Sequence, residues 1–330
     1  MKTICATVLA VIVTGSLAIA EPITLRLGTA APEKTPWGAA MIDFAEAVAD
    51  LSDGRITVLP AFNSELGDEP TMARQLPRGR LDMAFLSNAA ASLLVPEYGL
   101  LMTPYLFDDV AQADCVFDHH LVDTFDAPFE ASGVRMLAGV EIGQMVIMAT
   151  RPLHRPEDLR GEKIRTAPTP TDTAFVRAMG GAPVPLGNVE SMSAMRTGLV
   201  VAVTTPIVMG VAGGFAAEGP EITVTRHGHQ VGGLLISEAA WGRLDAEGQA
   251  ALREAARVMA DLRPAVRAAE AGLLAQAGED GAHVHELTAG ELAEWKAFSP
   301  AVAEAVVADL GPAGAETWDR LMAAKASCGQ

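Results

Sequence analysis

Three cysteines in 330 residues are too few for a disulfide-stapled scaffold, and aromatic side chains make up only 5% of the chain. The core must therefore come from alanine, valine and leucine, which suits an α/β protein. Basic residues are scarce as well. There are 24 Lys and Arg against 41 Asp and Glu, for a net charge of −17. Such a chain is repelled by nucleic acid and by anionic lipid. Beyond the first twenty residues, charges and prolines interrupt every apolar run, so no later stretch reads as a membrane span. The G-x-S-x-G elbow, the phosphate loop and the dinucleotide fingerprint are all missing. His119-His120, His227-x-His229 and His283-x-His285 supply too few ligands for zinc, and no Asp, Glu or Cys cluster stands at metal-site spacing. The reading is of a chain with no metal, no cofactor and no recognisable catalytic set.

What is present begins with an export leader. Lys2 precedes an apolar run from Ile4 to Ile19, and Ala18-Ile19-Ala20 fits a small-x-small cleavage site before Glu21. Cys5 lies too early to be a lipidated first residue, so residues 1–20 read as a signal peptide and the remainder as a soluble exported monomer. Two cysteines remain, Cys115 and Cys328. They form either a disulfide or two separate thiols, because sequence does not give their distance.

About 310 residues suit two domains. Ile23–Leu27 alternates apolar and polar like a strand with one buried face. Trp37, Met41, Phe44, Val48 and Leu51 recur at helical spacing, and Asp53-Gly54 stops the helix. With Ile56–Leu59 and Leu81–Leu86, this predicts a β-α-β opening with parallel strands. Ligands of such sheets bind beyond the C-terminal strand ends. That places Ser87 and Asn88 near a cleft, with Trp37 either lining it or in the core. Further strands are predicted over Val134–Ala138 and Gln144–Thr150. One long helix is predicted from Asp245 to Gln276, and a capping box at Thr288–Glu291 opens another. The helix after it should end at Asp309–Pro312, with a last one over Thr317–Ala326.

The stretch Arg155–Thr166, R-P-E-D-L-R-G-E-K-I-R-T, sets a polar turn before a short strand that carries Arg165 inward. An arginine at a cleft can hold a carboxylate by two parallel hydrogen bonds. This segment resembles the D-L-x-G-x-K-x-R signature of the DctP-type solute-binding proteins of TRAP (tripartite ATP-independent periplasmic) transporters. Ser64-Glu65-Leu66-Gly67-Asp68, Gly79–Met83, Pro104-Tyr105-Leu106-Phe107 and Thr197-Gly198-Leu199-Val200 resemble further landmarks of that family, in the family's order, across residues 23–310.

The resemblance implies a two-lobed periplasmic-binding-protein fold, each lobe a mixed β-sheet flanked by helices, with a long helix spanning both. Lobe I would hold residues 21–148 and 237–276, and lobe II residues 149–236, with helices of 277–330 packing across. It further implies a periplasmic receptor that binds a small organic acid anion and delivers it to the membrane permease subunits of a TRAP transporter. Arg165 would clamp the carboxylate with help from Arg151. Thr205, Asn188, Ser87, Asn88, Trp37 and Gln144 would complete the pocket. Ser87 and Asn188 differ from the residues at the matching places of sialic-acid receptors, which disfavours that ligand. The family's V-D-G reads Val200-Val201-Ala202 here. A similar receptor serving a sensor or another transporter is the alternative within this class. From a different class, a periplasmic hydrolase or lyase would use Glu141 as general base beside an arginine.

Overall fold

A computed structural model describes residues 22–329; the leader and its cleavage site after Ala20 lie outside the described residues. β1 (Ile23–Thr29) turns Leu25 and Leu27 into the core. Thr35 caps α1 (Pro36–Leu51) by accepting from Gly38 N–H, and Pro36 supplies a preset first turn. The helix ends where Asp53 and Gly54 take positive φ, 51° and 73°. β2 (Ile56–Ala61) and β3 (Met83–Leu86) lie parallel to β1 on its two sides, as the alternation predicts. Between them runs α2 (Glu69–Gln75), capped by Asp68. After β3 come α3 (Asn88–Ala91), a 3₁₀ stretch at Pro96–Met102, α4 (Val110–His119) and α5 (Leu121–Ala131).

The centre of the molecule is β4 (Val134–Ala149). Two strands were expected here, and the structure has one of 16 residues. Irregularities at Met136/Ala138 and Glu141/Gly143 let it bend while pairing continues. β5 (Lys163–Thr166), α6 (Pro170–Ala178), β6 (Ala182–Pro185), α7 (Asn188–Arg196), β7 (Ala202–Pro206), α8 (Ile207–Ala212), α9 (Phe215–Glu218) and β8 (Glu221–Val224) follow. β9 (His229–Ser237) then returns to pair with β3 and with the first part of β4. This joins β9 to the first lobe's sheet, whereas the sequence reading carries the second lobe through 236. The chain closes with α10 (Glu238–Trp241), α11 (Ala246–Ala255), α12 (Val258–Glu279), β10 (His283–Glu286), α13 (Ala289–Lys296) and α14 (Ser299–Ser327).

Strand order is β2-β1-β3-β9-β4-β7-β5-β6, with β8 also on β4 and β10 on β8. Residues 134–144 of β4 pair with β9, and residues 145–149 pair with β7. One strand thus serves two mixed sheets, and the molecule has two lobes. α12 crosses the same divide. Its Met259, Leu262 and Val266 pack with Leu25, Phe44 and Leu234 of the first core, and its Leu274 and Ala277 pack with Val146, Val203 and Ile222 of the second. The single helix expected from Asp245 is two, because the chain turns at Ala256-Arg257; Pro264 sits inside α12 without ending it. The α14 span is two helices meeting at a break, Gly311, where φ is 68° and ψ is −147°, within the stop expected at Asp309–Pro312. The capping box at Thr288 and Glu291 forms as read.

Cys115 on α4 and Cys328 at the end of α14 are disulfide-bonded, with Cα atoms 5.8 Å apart. Burial also produces an ionic cluster under β4. Glu141, 1% exposed, meets Arg267 Nη2 at 2.7 Å and His229 Nε2 at 3.1 Å. Arg267 continues to Asp114, and Arg263 pairs with Asp118 at 2.7 Å. Burial alone would raise the Glu141 carboxyl, but His229 and Arg267 outweigh it and hold it below the usual range. Removing one partner of a buried pair leaves the other uncompensated. Arg267→Ala is therefore expected to lower unfolding stability by about 3 kcal/mol in denaturant titrations at pH 7. A loss under about 0.5 kcal/mol, the size of an exposed pair, would mean the cluster is not buried in solution.

Candidate ligand-binding cleft

The turn before β5 forms as its residues dictate. Pro156–Leu159 makes one 3₁₀ turn, Asp158 accepts from Arg155 N–H, and Gly161 takes φ 77° to reverse the chain. Ile164 is buried in the core, and Arg165 follows it on the strand at 4% exposure. The Arg165 guanidinium is fixed rather than loose. Nε and Nη2 donate to Leu186 O at 2.9 and 2.7 Å, and Nη1 donates to Thr204 O at 3.1 Å. Burial lowers its pKa, and the charges of Asp172 and Glu190 oppose that shift. Thr205 follows Thr204 on β7, is 3% exposed, and among the described residues its hydroxyl reaches only its neighbour Pro206 O, at 3.5 Å. Arg165 and Thr205 thus stand on adjacent parallel strands of lobe II, with Arg165 in register with Val203 two residues before Thr205.

Ser87 and Asn88 stand at the C-terminal end of β3 in lobe I. Ser87 caps α3, and its N–H and hydroxyl donate to Glu69 at 2.5 and 2.9 Å. Asn88 is 1% exposed; its Nδ2 donates to Tyr98 O, while its Oδ1 is without a hydrogen-bond partner among the described residues. Glu69 was not among the residues expected from sequence. Burial pushes its carboxyl above the usual range, and the two bonds from Ser87 work against that. Its position just inside an Asp-capped helix reads only as N-terminal acid, and nothing in the sequence says that it reaches Ser87 eighteen residues on.

Four expected residues stand elsewhere or beyond description. Arg151 lies past the end of β4, exposed, with Nη2 on Glu162 Oε1 at 2.6 Å. Trp37 is 4% exposed within the first core and donates Nε1–H to Glu141 O at 2.9 Å, which makes it a packing residue. Gln144 lines a cavity of about 220 Å³ beside the point where β4 changes partners, together with Arg226, His227 and Lys296 and without Arg165 or Thr205. The Asn188 side chain lies outside the described residues.

His227 is fully enclosed, shares a 2.6 Å hydrogen bond with Thr225 Oγ1 and stacks on Phe175 at 4.2 Å. Burial depresses its pKa to about 3, so it is neutral. Among the described residues one group has metal-like spacing, Cys115, His120 and Cys328, and its two sulfurs are spent on the disulfide. Glu141, the base of the enzyme reading, is locked by Arg267 and His229.

The profile of the bacterial extracellular solute-binding proteins, family 7 (DctP), matches residues 27–309. The chain belongs to this family. A TRAP periplasmic solute-binding protein of Ochrobactrum anthropi superposes on it with a TM-score of 0.83 at 28% identity, covering 93% of this chain and 96% of that one. The sugar-acid-binding protein of Advenella mimigardefordensis, solved in complex with galactonate, gives 0.84 at 25% identity, covering 94% and 99%. In sequence, the 2,3-diketo-L-gulonate-binding periplasmic protein of Escherichia coli is 27% identical over 235 residues, 71% of this chain and 72% of its own length. The protein is a TRAP-type solute-binding protein and not an enzyme. Among the described residues no helix is long and apolar enough to cross a membrane.

Proposed function

We propose that this solute-binding protein captures a small hydroxylated organic acid, of the sugar-acid kind, between its lobes in the periplasm and delivers it to a TRAP-type permease. The observation that carries this is the buried guanidinium of Arg165 on β5, held by Leu186 O and Thr204 O, on the strand next to the one that carries Thr205. A guanidinium whose orientation is already held loses little freedom on binding and suits a planar carboxylate. Lobe I carries acceptors instead, the Glu69 carboxyl that already accepts from Ser87 and the Oδ1 of Asn88, which has no hydrogen-bond partner among the described residues. Donor-rich on one side and acceptor-rich on the other, the pair fits an acid that carries hydroxyls at its far end. Relatives that bind galactonate and 2,3-diketo-L-gulonate support the same class. Asn188, at the start of α7, belongs to this proposed site; Arg151, Trp37 and Gln144 do not. Export would remove residues 1–20.

The test is native mass spectrometry of the purified protein for a co-purified acid, with thermal denaturation against aldonates, uronates, C4-dicarboxylates and ectoine. A sugar acid at about 100 times its Kd should add about 2.7 kcal/mol of stability, and it should be recovered chemically unchanged. Stabilisation by dicarboxylate or ectoine alone would overturn the sugar-acid reading, and turnover of the hit would overturn the receptor reading.

A further inference from the structure

Glu270 stands where α12 passes from one core to the other, between Val266 and Leu274. It is 7% exposed. Its Oε1 accepts from Gln144 N–H at 2.5 Å, next to the irregularity at Glu141/Gly143. Gly143 has φ 121°, and a Cβ there would collide with Oε1, so glycine is what allows the carboxylate this close. The carboxylate therefore touches β4 at the place where the strand leaves β9 and joins β7.

Glu270 has no ion-pair partner among the described residues, because the charges around it are engaged elsewhere. On β4, Glu141 is held by Arg267 of α12 and by His229 of β9. Arg263 of α12 turns to Asp118 on α4, and Arg226, before β9, is held by Glu286 on β10. His283 and His285 of β10 face Glu221 and Glu291. The acids of α1, Asp43, Glu46 and Asp50, are exposed, and α8 carries no charge. A buried carboxylate without a cation is costly when ionised; it takes a proton or moves into water.

We propose that Glu270 is a charge trigger in the hinge: neutral, it packs on the β4 bulge and holds the lobes as described, and ionised, it drives α12 off the bulge and swings the lobes apart. Burial pushes this carboxyl up to about 7, and Glu141 adds to the shift, while the Gln144 N–H, Arg226 and Arg267 oppose it. The sign follows from linkage. A raised carboxyl favours this conformation below its unfolded value near 4.5, and that advantage is lost as pH rises through about 7.

Small-angle scattering of the ligand-free protein at pH 6 and pH 8 reads the swing. Over that interval the ionised-to-neutral ratio of such a group changes about a hundredfold. The radius of gyration should be larger at pH 8, with a midpoint that coincides with the carboxyl ¹³C titration of Glu270. Glu270→Gln should keep the smaller radius at both pH values. Equal wild-type radii, a pH response that survives in Glu270→Gln, or a scattering midpoint displaced from the Glu270 titration would each overturn the proposal. Should the variant not fold, agreement or disagreement of the two wild-type midpoints decides. No ligand enters the experiment, so its failure would leave the receptor reading standing.

Discussion

Replacing Arg165 with alanine is expected to weaken binding of the cognate acid by about 30- to 3000-fold. Truncating one side of a desolvated, hydrogen-bonded charge pair costs about 2–5 kcal/mol, and each 1.4 kcal/mol is about tenfold in affinity. Arg165→Lys keeps the charge but not the planar fork, so most of the loss should remain. From sequence, Arg165 faces an open solvated cleft and contributes little to folding. The structure changes that expectation, because the side chain is buried and satisfies Leu186 O and Thr204 O. Alanine leaves two carbonyls to find water, at a stability cost of about 1–3 kcal/mol. Calorimetric titrations should therefore be run well below the variant's melting temperature. Arg160→Ala is the control, an exposed arginine in the same turn, and should leave affinity unchanged. If folded Arg165→Ala binds within about threefold of wild type, the carboxylate is held elsewhere.

Removing the Cys115–Cys328 disulfide is expected to have the largest effect on stability. The bond closes a loop with a sequence separation of 213 residues. Loop-closure entropy for that length gives about 5 kcal/mol as an upper figure, and measured values more often fall at 2–4 kcal/mol. It also fastens the end of α14 to α4, while the first half of α14 packs Val302 and Val306 against Phe175 of α6. Cys328→Ser should lower the denaturation midpoint accordingly, and dithiothreitol should do the same to wild type without affecting the variant. Intact mass should rise by two hydrogens on reduction of wild type. A variant as stable as wild type would show that the bond constrains little of the unfolded chain.

Most of the elements were legible along the chain because their signals are local. The alternation of Ile23–Leu27, the helical spacing of Trp37, Met41, Phe44 and Val48, and the capping box at Thr288 each depend on neighbours within a few residues. The family landmarks were legible for a similar reason, since Gly161 and Pro156 dictate the turn that aims Arg165. Val134–Ala138 and Gln144–Thr150 read as two separate strands, yet β9 pairs across the interval between them and makes β4 one strand. The resemblance made Arg151 a second clamp, and in the structure it pairs with Glu162 eleven residues later, a contact that no local pattern encodes. Whether Cys115 met Cys328 depended on α14 running back over α4, which no local pattern encodes.

The sequence by itself determined most of the local elements, because residue type and short-range spacing suffice for each, and its ordered landmarks gave the resemblance that implied the class of protein and a role for Arg165. Only the tertiary structure decided which polar groups share an environment. Glu69 with Ser87, Glu141 with Arg267 and His229, and Glu270 with the Gln144 amide are joined across 18 to 126 residues. Burial and partnering set how a charge behaves, and both belong to the packed chain rather than to any stretch of it.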